Sequence, residues 1–228
     1  MIRPSLIFLF LFTMITGFAQ ENLVDEVKIK GSKRTKVGFL KKLIQVHSGS
    51  VLDSVALQED MERLKRLPSI SHAFFQLFSE EDGNHTIFYH VEENFTLIPF
   101  ANLFSSSNDD FAFRIGLQEF NLFGRNITLG GFYQLDVFNS YGLNIRAPYL
   151  FSNKLGLAIT YQDFNTLEPV FFDGTTADYR YNNEGFEALG LYEFNFQNRI
   201  ELGFSLFTED YQYLEGATNP NVPQALKV

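Results

Sequence analysis

Apolar and polar residues alternate along this chain in two rhythms, and the change falls near residue 95. Between Val24 and Lys30, Val27 and Ile29 alternate with charged residues, the pattern of a half-buried strand, and Gly31-Ser32 ends it. Val37, Leu40 and Ile44 then recur at helical spacing over Lys36 to Gln45. A second helix is predicted from an N-cap at Asp53 to Leu67, with Leu57, Met61, Leu64 and Leu67 on one stripe and Pro68 as its stop. Two strands follow, Ile70 to Phe78 and His85 to Glu92, joined by Glu81-Asp82-Gly83-Asn84, whose Asp-Gly and Asn chemistry suits a hairpin turn. The predicted order over residues 20–95 is β-α-α-β-β, an α+β domain in which helices cover one face of a small sheet.

From residue 96 onward the helical period is gone and period-two segments replace it. Ile127, Leu129, Gly131, Tyr133, Leu135 and Val137 oppose Asn126, Thr128, Gly130, Gln134 and Asp136, with Phe132 as the exception on the polar side. Similar alternation marks Phe111 to Gln118, Tyr141 to Arg146, Leu155 to Gln162 and Arg199 to Leu206, and a looser form marks Leu97 to Phe104 and Glu184 to Phe194. That makes seven predicted strands over residues 96–228, and the tail Val222 to Val228 offers no further one. Several segments reach the about 9–11 residues that a tilted membrane strand needs, whereas soluble strands are typically about 5–6. Phe104 and Phe111, Phe120 and Phe123, Phe138 and Tyr141, Tyr149 and Phe151, and Phe194 and Phe196 bracket the predicted connections, as the aromatic girdles of a membrane barrel require. An antiparallel transmembrane β-barrel is the expectation, with Leu129 and Leu157 toward lipid and Gln134 and Gln162 toward the lumen. A spanning sheet has to close, because hydrocarbon leaves no unpaired backbone group satisfied; seven strands therefore read as an incomplete barrel from a longer protein.

The start of the chain agrees with export. Arg3, the apolar run Leu6 to Ile15 and the small residues of Gly17-Phe18-Ala19 describe a signal peptide over residues 1–19, too short to span a bilayer. No later stretch approaches the length of a membrane helix, so any insertion must use strands. The net charge of −9, with Lys and Arg scattered, argues against nucleic acid as a partner. The absence of cysteine removes disulfides, thiolate metal sites and a Cys nucleophile. His47, His72, His85 and His90 have no metal-ligand spacing, and no nucleophile elbow or paired-carboxylate signature is present. No enzymatic activity, metal or cofactor is expected.

Certain residues carry a resemblance beyond the pattern. Val27 to Thr35 (VKIKGSKRT), Gly49, Leu64-Lys65-Arg66-Leu67 and Val91-Glu92-Glu93 in the first domain resemble the POTRA domains of the outer-membrane assembly factor superfamily of BamA/TamA type. Gly116 to Arg125 (GLQEFNLFGR) and Ala147-Pro148-Tyr149-Leu150 are similar to the first two periplasmic turns of that superfamily's surface-antigen barrel, and Asn121, Leu122, Phe123 and Gly124 form the turn motif. The resemblance implies an outer-membrane protein of a Gram-negative bacterium, with its POTRA-like domain in the periplasm. It implies assembly or insertion of nascent outer-membrane proteins, with possible periplasmic or lipoprotein partners and outer-membrane lipid around the barrel. β-Augmentation of client strands is the physics available, at two edges. One is the POTRA strand with Ile70, Ala73, Phe75 and Leu77; the other is a gate strand formed by Leu97, Ile98, Pro99, Phe100 and Asn102, where proline favours an edge. The alternative is an outer-membrane transport pore or a dedicated polypeptide secretion channel.

Overall fold

The computed structural model describes residues 22–79, 84–105, 111–172, 174–216 and 225–227. The expected signal peptide, the Glu81 to Gly83 part of the hairpin turn and the tip of the loop after Phe104 lie outside the described residues. Two sheets organise the rest. The first is built from β1 (Val24–Lys30), α1 (Val37–Leu43), α2 (Ser54–Lys65), β2 (Ile70–Ser79) and β3 (His85–Glu93), so the β-α-α-β-β order is observed. Its strand order is β1-β3-β2, with β1 parallel and β2 antiparallel to the central β3.

Both helices lay their apolar stripes on this sheet. Leu40 and Leu43 of α1, Leu57, Met61 and Leu64 of α2, and Ile87, Tyr89 and Val91 of β3 are buried in one cluster. Asp53 caps α2 as its position predicts, accepting the Val55 amide at 2.8 Å. One charged residue lies inside that core. Asp60 is 0 % exposed and accepts the amides of Gln45 at 2.6 Å and Val46 at 3.0 Å and the Tyr89 hydroxyl at 2.9 Å, tying the end of α1 to α2 and β3. Burial raises its pKa above the ordinary carboxylate value against the pull of those hydrogen bonds.

The second sheet holds β4 (Leu97–Ser105), β5 (Phe111–Leu122), β6 (Ile127–Leu135), β7 (Asn139–Ala147), β8 (Leu155–Phe172), β9 (Thr175–Glu193), β10 (Arg199–Gly216) and β11 (Ala225–Lys227). Neighbours in sequence are neighbours in space throughout, in antiparallel up-and-down order. Two expectations are corrected. The tail does supply a strand: Ala225, Leu226 and Lys227 pair with Gln212, Tyr211 and Asp210 of β10, so eight strands are joined. Three residues are too few to show a period, so sequence pattern misses them. The strands β8, β9 and β10 are also much longer than their alternating segments, at 18, 19 and 18 residues. A strand of that length tilted by about 40° rises roughly 45 Å, against an apolar band of about 25 Å. Its outer part therefore lies beyond the band, where nothing demands an apolar face, and Asn165, Arg180, Asn182 and Asn183 pair there by hydrogen bonds.

Cross-strand register sorts the residues onto two faces. Leu129, Ile145, Ile159, Ala188 and Phe204 form one continuous row, and Leu117, Gly131, Leu143, Tyr161, Phe186 and Leu206 the next. These rows are open to the surroundings: Leu143 is 61 % and Leu206 63 % exposed. A contiguous apolar belt of this kind is too large for a water-facing surface and suits lipid. The opposite face carries the row Gln118, Gly130, Asn144, Thr160, Glu187 and Ser205. It is concave, with a cavity of about 410 Å³ over β8, β9 and β10 lined by Gln162, Asn183, Glu187 and Glu209. No helix of the described residues is long and apolar enough to cross a membrane.

Leu129→Arg should accordingly destabilise the barrel by about 2–4 kcal/mol, and Gln162→Arg by much less. Gln162 is the right control because it lines the open cavity, whereas Gln134 is 4 % exposed and accepts a 2.8 Å bond from Arg114, so a second arginine there adds repulsion. Denaturant titration of both variants in lipid checks the assignment; equal losses would overturn it.

Candidate functional site

Strand β4 is the terminal strand of the large sheet: β5 pairs it along one side, and no described residue pairs its other side. Leu97, Pro99, Ala101 and Leu103 fall on the apolar outer face, opposite Glu119, Leu117, Ile115 and Phe113. Ile98, Phe100 and Asn102 fall on the inner face, opposite Gln118, Gly116 and Arg114. The loose alternation therefore has a packing cause. Phe100, Gly116, Phe132, Gly142, Gln162, Gly185 and Phe207 form one row across the inner face from β4 to β10. The Phe100 ring occupies the space over Gly116, where any Cβ would strike it, and the Phe132 ring does the same over Gly142. Phe132, the exception in its alternating segment, is thus an aromatic cover for a glycine gap, with the Arg114 guanidinium 4.6 Å from its centroid. The register that sets each glycine opposite an aromatic is a property of the sheet, and the sequence offered only Phe132 as a break in its alternation.

The β2 edge is likewise free on one side among the described residues. Of the residues expected at that edge, Ile70 and Ala73 are buried in the core, Phe75 packs against it, and Leu77 is 41 % exposed. Backbone groups of all four lie along the edge, but the side chains offered to the solvent are Phe74 and Phe78 as well as Leu77. Phe74 stacks on His90 at 4.7 Å, and Phe78 meets Phe88 edge-on at 5.3 Å.

The turn motif has a structural task that its sequence did not disclose: it joins the two sheets. Phe123 and Gly124 take positive φ of 58° and 68° in the β5–β6 turn, and Asn126 takes 55°. Gly124 is required there twice over, because a Cβ would also collide with the Arg34 carbonyl oxygen. Its own carbonyl accepts the Lys36 amide at 2.9 Å. Asn121 donates to Thr35 Oγ1 at 3.0 Å and accepts the Asn126 amide at 2.9 Å, so one side chain shapes the turn and grips the loop before α1. Leu122 pairs with Ile127 to close the hairpin.

That loop is itself held by Glu93. The carboxylate accepts the amides of Lys33 at 3.1 Å, Arg34 at 2.9 Å and Thr35 at 2.7 Å, and Gly31, at φ 89°, lets the chain turn tightly against the Val91 carbonyl. Burial acts to raise the Glu93 pKa, but the three amides outweigh it and hold the carboxyl below its usual range. A lowered native pKa contributes stability above the ordinary carboxylate value and loses it as pH falls toward the native one. Acidification should therefore loosen the grip on Asn121 and Gly124, and Glu93→Gln should flatten that pH dependence. Hydrogen exchange of the Lys33, Arg34 and Thr35 amides against pH reads this directly.

A second contact closes the junction on the far side. Arg63 of α2 meets Glu193 at the end of β9 at 2.9 Å, with side chains only 8 % and 4 % exposed. Tyr149 donates to the same carboxylate at 3.4 Å and lies 6.3 Å from Phe39. Arg66 lies over the Phe196 ring at 3.7 Å. Neither Arg63 nor Glu193 belongs to a recognisable motif, and their separation of 130 residues hides the pair in the sequence.

No protein-family model and no curated protein matches this sequence. Solved structures do match. BamA from Haemophilus ducreyi lacking POTRA domains 1–3 superposes with a TM-score of 0.51 at 16 % identity, over 89 % of this chain and 46 % of that one. CdiB from Acinetobacter baumannii gives 0.54 at 16 % identity over 86 % and 39 %, and CdiB from Escherichia coli gives 0.53 at 13 % identity over 85 % and 38 %. The chain thus spans less than half the length of the structures it matches. At these identities the shared property is the arrangement of strands, and the chain has the fold of the outer-membrane β-barrels represented by BamA and CdiB.

Proposed function

We propose that this protein is an outer-membrane protein assembly or insertion factor of a Gram-negative bacterium. In this reading residues 1–19 are a signal peptide, residues 20–95 a POTRA-type domain in the periplasm, and residues 96–228 part of the membrane barrel. The observation that carries the proposal is Pro99 within the terminal strand β4, because a strand that lacks a backbone donor closes a sheet weakly and leaves an opening for an incoming strand to pair with its backbone groups. Pro99 removes one donor from that strand, so a seam made there holds fewer hydrogen bonds and opens more easily. The free β2 edge is the second place where a client strand adds, with Ile70, Ala73, Phe75 and Leu77 supplying backbone groups and Phe74 and Phe78 apolar contacts. Clients are nascent outer-membrane proteins, delivered with the help of periplasmic or lipoprotein partners. The work needs no catalytic residue, nucleotide or cofactor.

Disulfide trapping tests this cleanly, because the chain has no cysteine of its own. Single cysteines at Ile98, Phe100 and Asn102 are expected to cross-link to cysteines in a client's terminal strand during assembly. Leu155, Leu157 and Ile159 of β8 serve as controls, since β9 pairs all three and β7 pairs Leu157 and Ile159 on the other side. Trapping at β4 alone supports assembly. No trapping at all, together with normal barrel insertion in cells lacking only this protein, favours the second reading, a transport pore or dedicated secretion channel. The polar concave face across β8, β9 and β10 is the feature that reading would use.

A further inference from the structure

A cavity of about 390 Å³ lies where α1 meets the β5–β6 turn and the end of β7, away from both strand edges. Three cations line it, Lys36 and Lys42 from the soluble unit and Arg125 from the turn, and no carboxylate does. Among the described residues none of the three forms an ion pair, although the chain carries 27 acidic residues against 18 basic ones. All three side chains are exposed, so solvent tempers their repulsion, and together they present an uncompensated positive face to an incoming anion. The bond from the Lys36 amide to the Gly124 carbonyl fixes Lys36 next to Arg125, so the cluster is set by the docking of the two sheets.

The rest of the lining is apolar. Phe39, Ile127, Leu150 and Tyr149 contribute, the Tyr149 hydroxyl being taken by Glu193, and Gly38 leaves open space where a side chain would intrude. Ile127 lies on the same face of β6 as Leu129, at the start of the apolar belt. Exposed apolar residues surround the position: Phe123 at 71 %, Leu150 at 44 % and Phe151 at 63 %. Charge and greasy surface are therefore stacked along the strand axis, with cations at the level of the soluble unit and hydrocarbon-facing residues beginning immediately beside them.

We propose that this cavity binds one anionic glycerophospholipid of the leaflet on the soluble unit's side. Its phosphate sits among Lys36, Lys42 and Arg125, and its acyl chains run over Ile127 onto the outer face of β6 and β7. The proposal rests on the membrane reading given above. A free phosphate ion shares the headgroup chemistry but has no use for the apolar half of the site, which is the reason to assign the site to a lipid. By holding residues of both sheets at once, the bound lipid strengthens the junction between them.

The test is native mass spectrometry of the full protein extracted from phosphatidylethanolamine bilayers with and without phosphatidylglycerol. The wild-type protein is expected to retain one phosphatidylglycerol in preference to phosphatidylethanolamine, undisturbed by inorganic phosphate. Each cation close to an anionic lipid surface is worth about fivefold in affinity, so Lys36→Gln with Lys42→Gln and Arg125→Gln should weaken retention on the order of a hundredfold. Lys42→Gln alone, an exposed position with no ion pair among the described residues, should cost about fivefold and guards against misfolding of the triple variant. Lys28→Gln with Lys30→Gln, on β1, is the control and should change nothing. Equal retention by all variants, or no preference in the inserted wild-type protein, would overturn the site. Displacement of the lipid by inorganic phosphate would assign it to a free anion instead and so overturn the lipid proposal. Failure of the wild-type protein to enter either bilayer would overturn the membrane reading and the site with it.

Discussion

Arg63→Ala is expected to destabilise the docking of the soluble unit on the barrel by about 3–5 kcal/mol, the range for removing one partner of a buried ion pair. The cost arises less from the lost attraction than from the carboxylate left behind. Glu193 is 4 % exposed, and its remaining neighbours are the Tyr149 hydroxyl at 3.4 Å and Arg199 at 3.8 Å, too few and too distant to replace the guanidinium. Arg63 is itself imperfectly served, since its Nε has no partner, so the pair is not an optimised stabiliser. Replacing both members, Arg63→Met with Glu193→Met, should therefore lose much less than Arg63→Ala alone. The readouts are denaturant titration in lipid and proteolysis of the Asn94-Phe95-Thr96 connection, which should quicken when the unit undocks. A single variant no more harmful than the double one would show that the pair carries no weight.

Leu64→Ala should cost about 2–5 kcal/mol in the soluble unit. Leu64 is fully buried on the inner stripe of α2, within the same cluster as Leu40, Leu43, Ile87 and Tyr89, and truncation leaves a cavity that the capped, Asp60-anchored helix cannot readily collapse into. We propose that residues 20–95 fold alone, because the helices cover one face of the sheet and the core is complete apart from Tyr149. The isolated segment should then unfold cooperatively, and each kcal/mol lost should lower its Tm by roughly 4–8 °C. Absence of a cooperative transition in the unaltered segment would refute the boundary.

The structural matches and the sequence meet at different levels. The strand arrangement is shared with BamA and CdiB at identities of 13 % to 16 %, which is possible because a barrel strand asks only for alternation and turn chemistry. Much of the architecture was therefore legible along the chain. Leu57, Met61 and Leu64 announced a helix stripe, Asp53 its cap, and the run from Ile127 to Leu135 a strand with one apolar face. Those features depend on neighbours a few residues away, and local chemistry is what sequence records.

What the tertiary structure alone decided was long-range. The ends of β8, β9 and β10 lie past the apolar band, where the alternation that reveals a strand is no longer enforced, so pairing across the sheet defines them. The inner-face row from Phe100 to Phe207 needs the register of seven strands to become visible, and without it Phe132 looks like an error in the pattern. The Arg63–Glu193 pair, the Glu93 grip on residues 33–35 and the meeting of Lys36, Lys42 and Arg125 each join residues dozens of positions apart. Charge carries no periodicity that forecasts a partner: a lone Arg on a helix and a lone Glu at a strand end read as solvated surface until docking removes the water from both.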